Sequence, residues 1–187
     1  MYAFYAFKYF KDKDILLEVL KQKPDLNFQD NLRITFAMYA FKYFKDKDIL
    51  LKVLKQKPDL NIQNDDGNNG AMYAFKYCKD KDILLEVLKQ KPDLNIQNDD
   101  GNNGAMYAFK YCKDKNVLLE LLKQKPDLNI QNNFGFTATM YALNDCYHEE
   151  VFIEILKQKP DLNIQNYYGD TIAMFAFQYC KDKEILL

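Results

Sequence analysis

The phrase KQKPDLN occurs five times in this chain, and each copy follows the previous one after 34 residues. Residues 59–92 and 93–126 differ at only three positions. A repeat of this length is one helix-turn-helix unit that cannot bury its apolar faces alone. The period therefore predicts a stack of similar units. The prolines of the phrase are Pro24, Pro58, Pro92, Pro126 and Pro160.

Each unit is predicted to contain a polar turn, two short helices and an extended return. In the fourth unit, the turn NDDGNN (98–103) contains a glycine that can take a positive φ. Apolar spacing predicts a first helix over 105–112 and a second helix over 117–124, with an Asp or Asn just ahead of the second helix as its cap. The proline of the phrase ends the second helix. The residues expected to cap the first helices are Thr35, Asn69, Asn103, Thr137 and Thr171.

Two segments carry a resemblance to a known family. They are GFTATMYAL (135–143) and GDTIAMFAF (169–177), and the repeat pattern also contains a LLKQKPDLN-type phrase. Together these features resemble the ankyrin repeat. The pattern of that family runs Gly-x-Thr-Pro-Leu-His-x-Ala and ends with Gly-Ala-Asp-Val-Asn. The repeat here is divergent, since its period is 34 residues instead of 33 and methionine replaces the family histidine. Lys-Pro also replaces the family's Gly-Ala after the second helix, so we expect a different backbone at that turn. The resemblance implies an all-α, ankyrin-type helix-turn-helix solenoid with short extended or hairpin fingers between repeats.

The period divides the chain into one repeat array over residues 1–187. A partial repeat covers 1–29, four full repeats cover 30–63, 64–97, 98–131 and 132–165, and an incomplete repeat covers 166–187. No polar capping repeat is visible at either end. We interpret the chain as a truncated gene, a fragment, or a chain whose ends a partner covers.

Composition excludes several classes of function. The 26 basic and 27 acidic residues nearly balance, which gives no reason to expect nucleic acid or an anionic membrane as partner. No apolar stretch approaches the roughly 20 residues of a membrane helix, and the start lacks a secretory signal. We expect a cytoplasmic protein, with host-directed secretion by a non-classical route left open.

The sequence gives no support for catalysis, a cofactor or a metal. Cys78, Cys112, Cys146 and Cys180 recur at the period, but earlier units carry phenylalanine at the same register, so the thiols are predicted to fill the core. His148, the only histidine, lies near Cys146 without a CxxC motif and is interpreted as a loop residue. The chain is therefore predicted not to be an enzyme.

The turn tips vary most between units, and they are the predicted partner-binding surface together with the exposed edge of the first helices. In the family that the chain resembles, these parts form the concave binding surface. The acidic tips favour a basic patch on the partner, whereas the aromatic tips either anchor an interface or shield the last repeat. The predicted residues are the tip residues Asp65, Asp66, Asp99, Asp100, Phe134, Phe136, Tyr167 and Tyr168, and the helix residues Tyr43, Tyr77, Tyr111 and Tyr179.

The preferred hypothesis is a non-enzymatic scaffold that binds an unknown partner protein. One alternative is single-stranded nucleic acid bound through the Lys/Tyr edge of the first helices, where tyrosines stack on bases. Acidic tips and a neutral net charge argue against that alternative. A second alternative is end-to-end self-association through uncapped ends.

Overall fold

The structure, a computed structural model, describes residues 12–145 and 148–179. Within these ranges the chain forms ten α-helices and no extended strand, so the predicted all-α class is confirmed. The chain divides into two compact units, one ending at Asp93 and the other beginning at Leu94. No helix in the described ranges is long and apolar enough to cross a membrane.

Each unit alternates first and second helices of successive repeats. The helices of the first unit are α1 (Lys13–Lys21), α2 (Phe36–Tyr43), α3 (Lys47–Lys55), α4 (Gly70–Tyr77) and α5 (Lys81–Lys89). The helices of the second unit are α6 (Gly104–Tyr111), α7 (Lys115–Leu122), α8 (Ala138–Asp145), α9 (Glu149–Lys157) and α10 (Ile172–Tyr179).

The first helices begin at the predicted caps. The side-chain oxygens of Thr35, Asn69 and Asn103 accept the N–H of the third helical residue at 3.3, 3.0 and 2.9 Å. Thr137 and Thr171 make the same bond at 3.3 and 3.1 Å. Each bond satisfies a backbone donor that has no partner within the helix, so these positions fix where the first helix starts.

The second helices begin earlier than predicted. In the fourth repeat α7 covers Lys115–Leu122 instead of 117–124, and its cap is Asp114, whose carboxylate accepts two backbone N–H groups at 2.9 and 3.2 Å. Asp46 and Asp80 cap α3 and α5 in the same way. The prediction was wrong because the mixed charges of KDK were interpreted as a loop, although an aspartate is among the best N-cap residues. His148 takes this position before α9 and makes no side-chain cap bond.

Packing joins like helices of successive repeats within each unit. In the first unit α2 packs on α4, and α3 packs on both α1 and α5; in the second unit α6 and α10 both pack on α8, and α7 packs on α9. Phe41, Phe75 and Phe109 lie fully buried on the first helices. The apolar stripes of the helices between the ends of the array are therefore covered by their own and neighbouring repeats, whereas Met174 and Phe177 on α10 are 55% and 69% exposed.

The repeated phrase is explained by hydrogen bonds between repeats. The Gln56 amide donates to the carbonyl of Leu20 in the preceding second helix at 2.9 Å, and the Gln158 amide donates in the same way to Leu122. The Asn27 side chain accepts the backbone N–H of Asp59 at 2.8 Å. Glutamine therefore caps the C-terminus of the previous helix, and asparagine joins successive extended returns.

The lysine before each proline adopts an unusual backbone. Lys23, Lys57, Lys91, Lys125 and Lys159 have φ between 49° and 55°, the left-handed region that favours glycine. These lysines stand where the ankyrin pattern has glycine. The lysine thus adopts a conformation that glycine favours.

Candidate partner-binding surface

Five short fingers project between successive repeats, at residues 30–34, 64–68, 98–102, 132–136 and 166–170. Each finger is closed at its base by one antiparallel bridge, for example between Gln63 and Asn69. The predicted hairpin fingers are therefore present, although they are too short to form strands. Because the base of each finger adjoins the cap of a first helix, the fingers and the first helices form one surface within each unit.

A buried asparagine organises the inside of a finger. Asn64 is 5% exposed, and its side-chain oxygen accepts the N–H groups of Asp66 and Asn68 at 3.2 and 2.8 Å. Its amide group lies 3.2 Å from the hydroxyl of Tyr73 on α4. The finger is thereby tied to the first helix by buried polar bonds, which fix its geometry.

The same arrangement occurs in the second unit. Asn98 and Asn132 contact the hydroxyls of Tyr107 and Tyr141 at 3.2 and 3.1 Å. Burial raises the pKa of the Tyr73 hydroxyl to about 12, so this group stays neutral, and its oxygen accepts the hydrogen bond from the Asn64 amide. Sequence reasoning missed these asparagines because a turn such as NDDGN looks solvent-exposed. Their spacing of nine residues from a tyrosine was the available signal.

Neighbouring fingers are joined through their backbones. In the second unit the backbone N–H of Asn133 donates to the backbone carbonyl of Asp100 at 2.9 Å, and the backbone N–H of Tyr167 donates to the backbone carbonyl of Phe134 at 3.0 Å. Gly135 has φ of 77°, and a Cβ added there would lie 2.8 Å from the Cα of Asn166. The glycine is therefore needed both for its conformation and for the close approach of the next finger.

The acidic tips are open to solvent. Asp65 and Asp66 are exposed at the tip of one finger in the first unit, and Asp99 and Asp100 are exposed in the second unit. Each pair sits on a tip whose backbone is held by the buried asparagine below it. The carboxylates can therefore meet a cationic partner without rearrangement of the finger.

Three of the four predicted tip aromatics point into solvent. Phe134 is 56% exposed, and Tyr167 and Tyr168 are 77% and 76% exposed. They lie on two fingers whose backbones are hydrogen-bonded to each other, and together they form the aromatic patch (Phe134, Tyr167, Tyr168). Side chains of this size cover a large apolar area, and their exposure in a group is typical of an interaction site.

Phe136 has a different environment from the other tip aromatics. It is half-buried, with ring centroids 5.6 Å from Tyr141 and 6.2 Å from both Tyr168 and Phe175. It packs on the apolar cluster of α8, α9 and α10, which includes Met140. Phe136 therefore contributes to the packing of the last repeats. This agrees with the alternative interpretation that tip aromatics shield the last repeat.

The tyrosines of the first helices form pairs on each helix. Tyr43 is 54% exposed, while Tyr77 and Tyr111 are half-buried. Tyr73 and Tyr77 have ring centroids 5.6 Å apart on α4, and Tyr107 and Tyr111 repeat the pair at 5.7 Å on α6. The side chain of Tyr179, a further predicted member, lies outside the described residues.

Lysines cover the faces of these tyrosines. The Lys42 ammonium lies 5.2 Å from the ring centroid of Tyr43 and 6.0 Å from that of Tyr77. The Lys110 ammonium lies 5.6 and 5.1 Å from Tyr111 and Tyr141. Cation–π contacts of this length are attractive, and they leave less of each ring free to stack on a nucleic-acid base.

The two described cysteines are buried as predicted. Cys78 and Cys112 are 5% and 4% exposed, and burial raises the pKa of the Cys78 thiol to about 12. Such a thiol stays protonated at neutral pH, whereas the thiolate is the nucleophilic form. Cys146 and Cys180 lie outside the described residues.

His148 lies near Lys113. Its Nε2 atom lies 2.9 Å from the Lys113 carbonyl. Across the described ranges, no group of three or more His, Cys, Asp or Glu side chains is arranged to hold a metal ion. His148 is thus engaged in a loop contact.

Comparison with known proteins identifies the repeat. A family model described as ankyrin repeats (3 copies) matches residues 105–187. Among solved structures, the crystal structure of EF0377, an ankyrin repeat protein, superposes with a TM-score of 0.72 and 23% identity over 94% of this chain and 90% of that one.

A second solved structure is the Bd0816 predatory endopeptidase from Bdellovibrio bacteriovorus in complex with immunity protein Bd3460. A chain of that complex superposes with a TM-score of 0.68 and 23% identity, over 95% of this chain and 91% of that one. Both likenesses concern the fold. No curated protein matches the sequence.

Proposed function

We propose that the chain is an ankyrin-repeat array that acts as a non-enzymatic scaffold and binds a partner protein. The ankyrin-repeat model matches residues 105–187, and the units before them carry the same KQKPDLN phrase at the same 34-residue period. Ankyrin repeats generally mediate protein–protein interaction. The proposed binding surface comprises the finger tips and the exposed edge of the first helices.

The observation that carries this proposal is the exposure of the aromatic patch. Its three rings are more than half exposed, although the fingers that bear them are tied together by a backbone hydrogen bond of 3.0 Å. Leaving such rings in water forgoes the free energy of burying them, at about 25 cal/mol per Å² of apolar surface. Rigid aromatic side chains are also the common anchors of interfaces, because few torsions are lost on binding.

The acidic tips suggest the charge of the partner. Asp65 and Asp66 form one exposed pair, and Asp99 and Asp100 form another. A basic patch on the partner would complement either pair and increase the association rate at low ionic strength. We expect the aromatic patch to supply affinity and the aspartates to supply specificity.

Affinity capture from a source-cell lysate tests the proposal with three forms of the chain. The first is the natural chain, and the second carries Phe134→Ser, Tyr167→Ser and Tyr168→Ser. Phe136 is left unchanged because its half-buried ring packs on the last repeats. The third form, the matched control, carries Ile15→Ser and Ile153→Ser on the second helices, where both side chains are also exposed.

The proposal predicts that the natural chain and the control capture the same protein, while the patch variant loses it at least tenfold. Urea unfolding of all three forms verifies that the fold is kept. If the folded patch variant captures the protein as well as the natural chain does, the aromatic patch is not the binding site.

A further inference from the structure

The lysine that precedes each proline closes the end of a second helix with a left-handed backbone. In the first unit these lysines are Lys23, Lys57 and Lys91, all exposed and all with φ near 50°. Their backbone N–H groups donate to the carbonyls of Leu20, Leu54 and Leu88 at 3.1, 2.9 and 2.9 Å, which satisfies acceptors at the helix end. Their ammonium groups form no hydrogen bond or ion pair with the described residues.

The other members of the repeated phrase have clear structural roles. Gln56 and Asn27 join successive repeats, and Leu60 is 3% exposed in the core. The first lysine of the phrase pairs with a glutamate three residues earlier, as Lys89 does with Glu86 at 2.9 Å. The second lysine closes a helix end through its backbone, while its ammonium group has no partner among the described residues, so its charge is open to a ligand.

Positive charge is concentrated around the second repeat of the first unit. Lys52 stands where the other repeats have glutamate, so Lys55 lacks the glutamate partner that Lys89 has. Lys52, Lys55 and Lys57 are all exposed, with no ion pair among the described residues. Three free ammonium groups within six residues therefore face solvent near the end of α3.

A cleft of about 470 Å³ opens beside these lysines. Its lining includes Lys55, Lys57 and Lys89, the acidic residues Asp59 and Glu86, and the buried Pro58 and Leu60. A smaller cleft of about 380 Å³ recurs in the second unit and includes Lys125 and Lys159 in its lining. The free ammonium groups of Lys55 and Lys57 at this cleft suit a carboxylate side chain.

We propose that the lysine ridge (Lys52, Lys55, Lys57) and its cleft bind an acidic segment of a protein, through residues other than those of the aromatic patch. The charge of the ridge complements carboxylates. A bare phosphate backbone fits less well, since Asp59 and Glu86 also line the cleft and would repel a continuous anion.

Fluorescence anisotropy tests this proposal with a fluorescein-labelled peptide of repeated Glu-Leu-Glu. The natural chain is expected to bind the peptide, with affinity that falls as ionic strength rises. A variant with Lys52→Gln, Lys55→Gln and Lys57→Gly is expected to bind at least tenfold more weakly. Lys57→Gly also relieves the left-handed backbone, so circular dichroism is expected to show a folded chain.

Two control variants separate the ridge from net charge. Lys45→Gln, Lys79→Gln and Lys81→Gln remove the same charge from exposed positions of the first unit, and replacement of the three ridge lysines by arginine keeps the charge. Both controls are expected to bind the peptide within threefold of the natural chain. An equal loss in the glutamine control, or no binding by the natural chain, overturns the proposal.

The same assay compares other anions. Labelled oligo-dT and vesicles of phosphatidylcholine with phosphatidylserine are measured beside the peptide. Tighter binding of oligo-dT or of the vesicles than of the peptide, lost in the ridge variant, would assign the ridge to nucleic acid or to a membrane surface and would also overturn the proposal.

Discussion

Three glycines at equivalent finger positions allow the contribution of finger stacking to be measured. Gly101, Gly135 and Gly169 have φ of 75°, 77° and 83°, so an alanine at each meets the same conformational penalty. Their surroundings differ. At Gly101 an added Cβ would lie 2.8 Å from the backbone nitrogen of Asn133, and at Gly135 it would lie 2.8 Å from the Cα of Asn166. At Gly169 no atom of the described residues lies within 4 Å of an added Cβ.

The expected magnitudes follow from these distances. A left-handed backbone costs an alanine about 1–2 kcal/mol, which is partly offset because alanine loses less entropy than glycine on folding. We therefore expect Gly169→Ala to lower the free energy of unfolding by about 1 kcal/mol. Gly101→Ala and Gly135→Ala add a clash with backbone atoms of the next finger, and overpacking of this kind costs about 1–3 kcal/mol more.

Urea unfolding, followed by circular dichroism and by tyrosine fluorescence, measures all three variants. Coincident transitions by the two probes support a two-state analysis. Ile172→Ala, at a fully buried position of the same repeat as Gly169, verifies that the transition reports on the last repeat, with an expected loss of about 2–5 kcal/mol. Equal destabilisation by all three glycine variants would refute the stacked-finger geometry.

Three further predictions concern single side chains. Asn69→Thr is expected to raise the free energy of unfolding by about 1 kcal/mol in urea melts, because it keeps the cap and removes a buried amide nitrogen that has no partner. Cys78 is expected to resist iodoacetamide at pH 8 in the native chain and to react in urea, as judged by peptide mapping, because burial raises its pKa to about 12. Hydrogen bonding to Lys13 lowers the pKa of the Asp46 carboxyl. The difference in the free energy of unfolding between the natural chain and Lys13→Met should therefore be present above about pH 4 and should disappear as the pH falls below the pKa of Asp46 in the folded chain. A difference that stays unchanged in acid would contradict this expectation.

The fold could be predicted from sequence where a signal is local. The 34-residue period and the Thr or Asn cap of each first helix sufficed to place the repeats and the start of the first helices. The second helices were misplaced by two residues because Asp114 lies among lysines, and mixed charge was given more weight than the cap. In α7 the carboxylate bonds of Asp114 determine the start.

The candidate site could be predicted only in part. Phe134 and Phe136 are separated by one residue on the same tip, yet one is 56% exposed and the other packs on Phe175. That difference depends on the next repeat, which a single turn sequence does not encode. Asn64 was missed for the same reason, since its burial depends on Tyr73, nine residues away on a helix.

Site-specific photo-crosslinking in source cells tests the central claim most directly. A photoreactive phenylalanine derivative is placed at Tyr167 in the aromatic patch and, as a control, at Ile153 on α9. The account predicts that the Tyr167 probe crosslinks one discrete protein and that the Ile153 probe does not. A chain that gives no discrete product at Tyr167, or the same product at both positions, would contradict binding through the finger tips.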